Sequence, residues 1–243
     1  LDNEKKEITH NSVSERDAKY IEDMVIYKDE NIIVLNKPSG LAVQGGTNTL
    51  KHIDGLLDAL KFGNEEKPKL VHRIDKDTSG VLVLARHRKM ADMLTKAFRE
   101  HTLQKTYLAL ARGVPAKEIG EIKAPLEKVD GRVQVLDGGK PAITEYEVLD
   151  SVSDRFALIA ASPLTGRTHQ IRVHLEYIDA PILGDDKYFG TERMKSSLFI
   201  NKLHLHAYKI DLSSVYGKRV VVKAKLPDYF KESLKTLGLN FKE

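Results

Sequence analysis

Short apolar runs bounded by polar turns recur along the chain and set its expected architecture. Met24 to Tyr27 and Ile32 to Leu35 flank the polar break from Lys28 to Asn31, a pattern that predicts a β-hairpin. Val81 to Ala85 is branched, apolar and bounded by Gly80 and Arg86, so it predicts a buried strand. Leu103 to Ala111 alternates, which puts Lys105 and Tyr107 on one strand face. Further strands are predicted at Glu118 to Ala124, Ala142 to Asp150, Phe156 to Ala161, Leu203 to Ile210 and Val220 to Ala224. Helical spacing is confined to fewer segments. Leu50, Ile53, Leu56, Leu57 and Leu60 form one amphipathic face, and Met90, Leu94, Ala97 and Phe98 form another within Lys89 to His101. Ile171, His174, Leu175 and Ile178 mark a third helix within Gly166 to Ile178, and Tyr229 to Leu237 a last one.

Strands outnumber helices, and several are joined by turns too short for helical crossovers. The expected fold class is therefore α+β, with a mixed, largely antiparallel sheet and flanking helices. Residues 1–20 are polar without an apolar period and read as a linker or loose terminus, leaving 21–243 as one extended domain. The chain starts at Leu1, so a fragment of something longer is expected.

Composition removes several kinds of chemistry. The 243 residues contain no cysteine, which excludes disulfides, thiolate nucleophiles and thiolate metal ligands. No stretch approaches the roughly 18 apolar residues of a membrane span, and no signal-peptide pattern appears, so a cytoplasmic monomer with no membrane association is expected. A net charge of +4 suits phosphate backbones without requiring them. His169, His174, His204 and His206 do not have the spacing of a two-histidine zinc helix and lack clustered carboxylates, so neither a metal nor any other cofactor is expected.

The stretch from His72 to Gly80, HRIDKDTSG, concentrates the candidate chemistry. Asp75 has His72, Arg73 and Lys76 as sequence neighbours, and nearby cations favour an ionised carboxylate, a usable nucleophile or base. The same residues also suit a plain turn. Gly45 and Gly46 are not followed by the Lys and Ser/Thr of a phosphate loop, so they read as a structural turn. Tyr107 is a core residue if its strand face is buried, and a stacking plate for a base if that face lines a cleft. Arg172 and Glu176 stand four apart on the predicted helix, where they are placed to pair at the surface.

Five strings decide between these readings. HRIDKDTSG resembles the His-Arg-Leu-Asp-x-x-Thr-Ser-Gly signature of the Rlu-type (RluA/RluC-like) pseudouridine synthases, departing only at Ile74. NKPSG at 36–40, KTYLA at 105–109, GRTHQIRVH at 166–174 and LHA at 205–207 follow in that family's order and approximate spacing. The resemblance spans roughly residues 24–236. It implies a pseudouridine synthase catalytic domain that isomerises uridine in structured RNA, with Asp75 as nucleophile, Tyr107 against the target base and Arg172 bridging the catalytic carboxylate. It also implies that Arg73 fills the space left by an extruded uridine and that Ile171 walls the uracil ring. His72, Lys105 and Arg167 join these as substrate-binding candidates.

APL at 124–126 and DDKY at 185–188 are most similar to the branch acting on large-subunit ribosomal RNA, while transfer RNA is the alternative substrate within the family. Two rivals come from other classes. A uridine methyltransferase that works through a cysteine nucleophile is excluded by the absence of cysteine. A non-catalytic RNA-binding module predicts Asp75 far from Arg172 in the folded chain.

Overall fold

The computed structural model describes residues 13–46, 51–189 and 201–242. Most of the expected N-terminal linker, and Leu50, lie outside these residues. In chain order the elements are α1 (Glu15–Glu22), β1 (Val25–Lys28), β2 (Ile32–Lys37), α2 (Ile53–Leu56) with a 3-10 turn (Leu57–Leu60), β3 (Lys69–Leu70), β4 (Ser79–Ala85), α3 (Arg88–Arg99) and β5 (Gln104–Arg112). There follow β6 (Ile119–Lys123), β7 (Leu126–Val129), β8 (Arg132–Val135), β9 (Ile143–Val152), β10 (Phe156–Pro163), α4 (Gln170–Tyr177), β11 (Leu205–Asp211), α5 (Ser213–Tyr216), β12 (Val221–Lys223) and α6 (Asp228–Leu237).

The main sheet has 10 strands along the path β1-β2-β4-β11-β5-β10-β9-β6, with β12 added to β11 and β3 to β4. Every pairing in it is antiparallel except β4 with β11, which run parallel. The expected mixed, largely antiparallel α+β architecture is thus the observed one. Buried Val and Leu side chains of β4 and β2 pack with α3 and the α2 segment in one core, and β5, β10 and α4 share a second.

Besides the short β3 and α5, which the sequence reading did not mark, three elements differ from expectation. Residues 15–22 form a helix that begins in the expected linker and runs past its end, because Ser14 accepts the Asp17 N–H as an N-cap and Ile21 is fully buried against the core. The helix expected from Leu50 is only one turn of α-helix followed by a 3-10 turn; Gly55 lies within it and carries the low helix propensity of that residue. The β7–β8 hairpin was not foreseen, and its Leu126 and Val133 join Val173 and Tyr188 in a small separate cluster.

The β4–β11 junction is close. Gly80 adopts φ +107° opposite Ala207, and a Cβ there would collide with the Ala207 backbone. Gly80→Ala is therefore expected to cost roughly 3 kcal/mol or more, through overpacking and a disfavoured backbone together. A shift in urea midpoint checks it; an unchanged midpoint would mean that the two strands move apart freely.

Candidate active site

Asp75 projects from the loop that feeds β4, near the middle of the sheet. Thr78 N–H donates to the Asp75 carbonyl at 3.2 Å, and Gly40 N–H donates to the Lys76 carbonyl at 2.9 Å. Lys37 completes this brace. Its side chain is fully buried, and its Nζ donates to the carbonyls of Pro38 (3.0 Å), Leu41 (2.8 Å) and Lys76 (2.9 Å). Burial pushes the Lys37 amine down to about 7, against the opposing pull of Asp77 and Asp75. The conformation next to Asp75 is therefore fixed by a buried amine from the NKPSG stretch.

The loop opens onto a cleft of about 960 Å³, at the upper end of the range usual for small-ligand sites. Asp75, Tyr107, Lys105, Ile171, Arg172, His72, Arg73 and Arg167 all line it. Tyr107 lies on the β5 face that the alternation predicted. Burial, reinforced by the Asp75 charge, holds its phenol well above the usual tyrosine range, so it stays protonated. Burial also lowers the Lys105 amine. Ile171 is 6 % exposed and supplies apolar wall.

His72 is committed differently from the two arginines. Its Nε2 accepts the Val83 backbone N–H at 2.8 Å, its ring stacks on Phe98 at 4.1 Å, and burial, with the Lys105 charge, drives its pKa down to about 3. It forms a neutral, braced piece of wall. Arg73 is exposed at the cleft edge and donates to Gln44 Oε1 at 3.1 Å. Arg167 is also exposed, donating to the Pro141 carbonyl at 3.0 Å, while its own backbone N–H is held by Gln170.

The Arg172 guanidinium makes its principal bond elsewhere than the sequence suggested. Nε and Nη2 donate to the two carboxylate oxygens of Asp185 at 2.7 and 2.8 Å, with the side chains 9 % and 0 % exposed. Nη1 is left facing Asp75 Oδ2 at 3.6 Å. Burial opposes the Arg172 charge, but the hydrogen bonds and charge of Asp185, with a contribution from Asp75, outweigh it and raise the pKa. Glu176 does not take Arg172: it pairs with Arg132 at 2.8 Å. Asp185 Oδ1 also accepts the backbone N–H groups of Lys187 and Tyr188, so one carboxylate ties together its own loop and the arginine that faces Asp75.

Of the four histidines singled out, His174, His204 and His206 are fully buried structural residues. His174 bridges Thr144 and the Ala124 carbonyl, and His206 bridges Ser79 and the Ala224 carbonyl. His169 alone reaches the cleft, with Nε2 at 3.8 Å from Asp75 Oδ2. No group of three or more potential metal ligands exists among the described residues, and no helix there is long and apolar enough to cross a membrane. Sequence reasoning missed Lys37 and Asp185 as site residues, although both stand in strings, NKPSG and DDKY, that carried the resemblance.

A family model described as RNA pseudouridylate synthase matches residues 31–177. The ribosomal large subunit pseudouridine synthase C of Rickettsia conorii is 42% identical over 218 residues, covering 87% of this chain and 71% of that protein. The mitochondrial RNA pseudouridine synthase 4 of Arabidopsis thaliana is 45% identical, covering 83% of this chain and 54% of that protein. Among solved structures, human RNA pseudouridylate synthase domain containing 4 superposes with a TM-score of 0.79 at 31% identity, covering 93% of this chain and 97% of that one. With a cleft that gathers Asp75, Tyr107 and Arg172 and with relatives matched over most of its length, the chain belongs to the RNA pseudouridylate synthase family and is a pseudouridine-forming enzyme.

Proposed function

We propose that the enzyme converts uridine to pseudouridine in large-subunit ribosomal RNA, with Asp75 as its nucleophile. The observation that carries the site assignment is the Asp75 carboxylate at 3.6 Å from Arg172 Nη1, in a cleft walled by Tyr107 and Ile171. A non-catalytic RNA-binding module has no use for a buried arginine clamped on one carboxylate and aimed at another. The choice of ribosomal RNA rests on relatives, several of which are named for the large ribosomal subunit.

The reaction is an isomerisation. The bond between uracil N1 and ribose C1′ breaks, the ring turns, a bond forms between C5 and C1′, and the proton on C5 leaves while N1 gains one. No oxidant, reductant or group donor is consumed. What the protein must supply is a carboxylate that adds to the nucleotide, an enclosed site that keeps the detached ring in place, and a protonated phenol and apolar side chain against its faces. Asp75, Tyr107 and Ile171 take these roles. The uridine must first leave its stack, at a cost of a few kcal/mol. Arg73, exposed at the cleft edge and bonded to Gln44 Oε1 at 3.1 Å, is able to swing into the vacated space. Lys105 and Arg167 offer cations to the flanking backbone. The protein is expected to act as a monomer in the cytoplasm.

Tritium release from RNA labelled at uridine C5 tests the substrate. Release from large-subunit ribosomal RNA, and none from transfer RNA, is the expected result. The reverse pattern would move the enzyme to the transfer RNA branch.

A further inference from the structure

His169 is the one residue of the α4 entry loop held in the left-handed backbone region, at φ +53°. Such a conformation persists in a non-glycine residue where its surroundings enforce it. Here the enforcement comes from Gln170, whose Oε1 accepts from Thr165 Oγ1 and Arg167 N–H and whose Nε2 donates to Ile143 and Thr144. The result is a ring turned into the cleft.

Hydrogen-bond accounting fixes which nitrogen of that ring carries the proton. Tyr188 Oη receives the Val133 backbone N–H at 3.2 Å and lies 2.7 Å from His169 Nδ1. Among the described residues, Nδ1 is the acceptor within reach of the tyrosine hydroxyl proton, so Nδ1 accepts and the ring proton sits on Nε2. Tyr188 is itself fully buried, and its backbone N–H is tied to Asp185. Nε2–H therefore lies 3.8 Å from Asp75 Oδ2, the oxygen that Arg172 Nη1 also faces at 3.6 Å.

We propose that His169 is a positioning residue for the catalytic carboxylate: Tyr188 holds it as the Nε2–H tautomer, and this N–H closes on Asp75 Oδ2 beside Arg172 once uridine fills the cleft. This inference rests on Asp75 being the nucleophile. Both donors face Oδ2, at 3.8 and 3.6 Å, so closing on it leaves Oδ1 as the oxygen turned to the nucleotide. Distances longer than a hydrogen bond in the free enzyme are usual for contacts that tighten in the substrate complex. The charges facing the ring are those of Asp75 and Asp185, against Arg172 and Lys187; burial dominates and keeps the imidazole below its ordinary pKa, and so uncharged at neutral pH.

Two substitutions separate positioning from mere support. Asn tolerates the left-handed backbone and keeps an acceptor for Tyr188, yet is too short to reach Asp75. His169→Asn should lower the single-turnover rate by on the order of 10- to 100-fold, the range met when a hydrogen-bonded outer partner of a metal ligand is lost, with RNA affinity and melting temperature unchanged. His169→Gln places an amide N–H near the position of Nε2 and should recover most of that loss. Nitrogen NMR of the wild-type imidazole should report the Nε2–H tautomer, giving way to a mixture in Tyr188→Phe. A His169→Asn rate within about twofold of wild type, an Nδ1–H tautomer in the wild type, or parallel losses of rate, affinity and stability would each overturn the proposal. Asp75→Asn is run alongside: turnover by that variant would overturn the nucleophile assignment itself, a different failure from the first three.

Discussion

Asp75→Asn is expected to fold, to bind RNA with unchanged affinity and to release no tritium, a fall of roughly 10⁴-fold or more in single-turnover rate. Removing a covalent nucleophile has effects of that order or larger. The fold should tolerate the change because the Asp75 side chain is 32 % exposed and its contacts are with Arg172 and His169 across more than 3.5 Å. The brace around its loop uses backbone carbonyls and Lys37, none of which the substitution touches. Asn is nearly isosteric but neutral, so it removes nucleophilicity and leaves shape. Binding measured by filter retention and turnover measured by tritium release then separate the two functions. Normal product from this variant would sink the assignment.

The second large effect is expected at Asp185, which touches no substrate. Asp185→Ala strands a buried guanidinium, and breaking a buried ion pair by removing one partner costs about 3–5 kcal/mol. It also frees the backbone N–H groups of Lys187 and Tyr188, which loosens the loop that orients His169. Unfolding in urea should show the loss of stability. Turnover should fall by on the order of 100-fold in the fraction that remains folded, by analogy with outer partners of metal ligands. A paired change, Arg172→Met with Asp185→Leu, should regain much of the stability, since well-packed apolar residues replace buried ion pairs at little cost. It should not regain activity. If Asp185→Ala alone were as stable and as active as wild type, Arg172 would not depend on Asp185 for its place.

Much of the fold was legible because strand signals are local. Val81 to Ala85 reads as a buried strand from its branched apolar run alone, and all seven residues of β4 are buried. Lys105 and Tyr107 share a face by alternation, and both line the cleft. The β7–β8 hairpin escaped because its alternation, Val133 and Val135 between polar residues, is too short to stand out from the turns around Gly131 and Gly138. The N-terminal helix escaped because one buried isoleucine among charged residues gives little periodic signal, and its docking is a tertiary matter.

The sequence by itself determined the class of fold, the strands that carry the cleft, and residues that line it. These follow from side-chain period and from strings of adjacent residues, and both are properties of the chain in one dimension. Only the tertiary structure decided which charges meet. Arg172 had Glu176 at helical spacing and a resemblance pointing to Asp75, yet its guanidinium has Asp185 as its main partner, 13 residues on and across a buried contact. Lys37 became a fully buried brace for the Asp75 loop through a carbonyl 39 residues away. His169 faces the cleft while His174, five residues later, is sealed in the core, because a left-handed backbone turns one ring outward and the helix turns the other in. Electrostatic and hydrogen-bond energies depend on distance and burial in three dimensions, and neither is written in the spacing of residues along the chain.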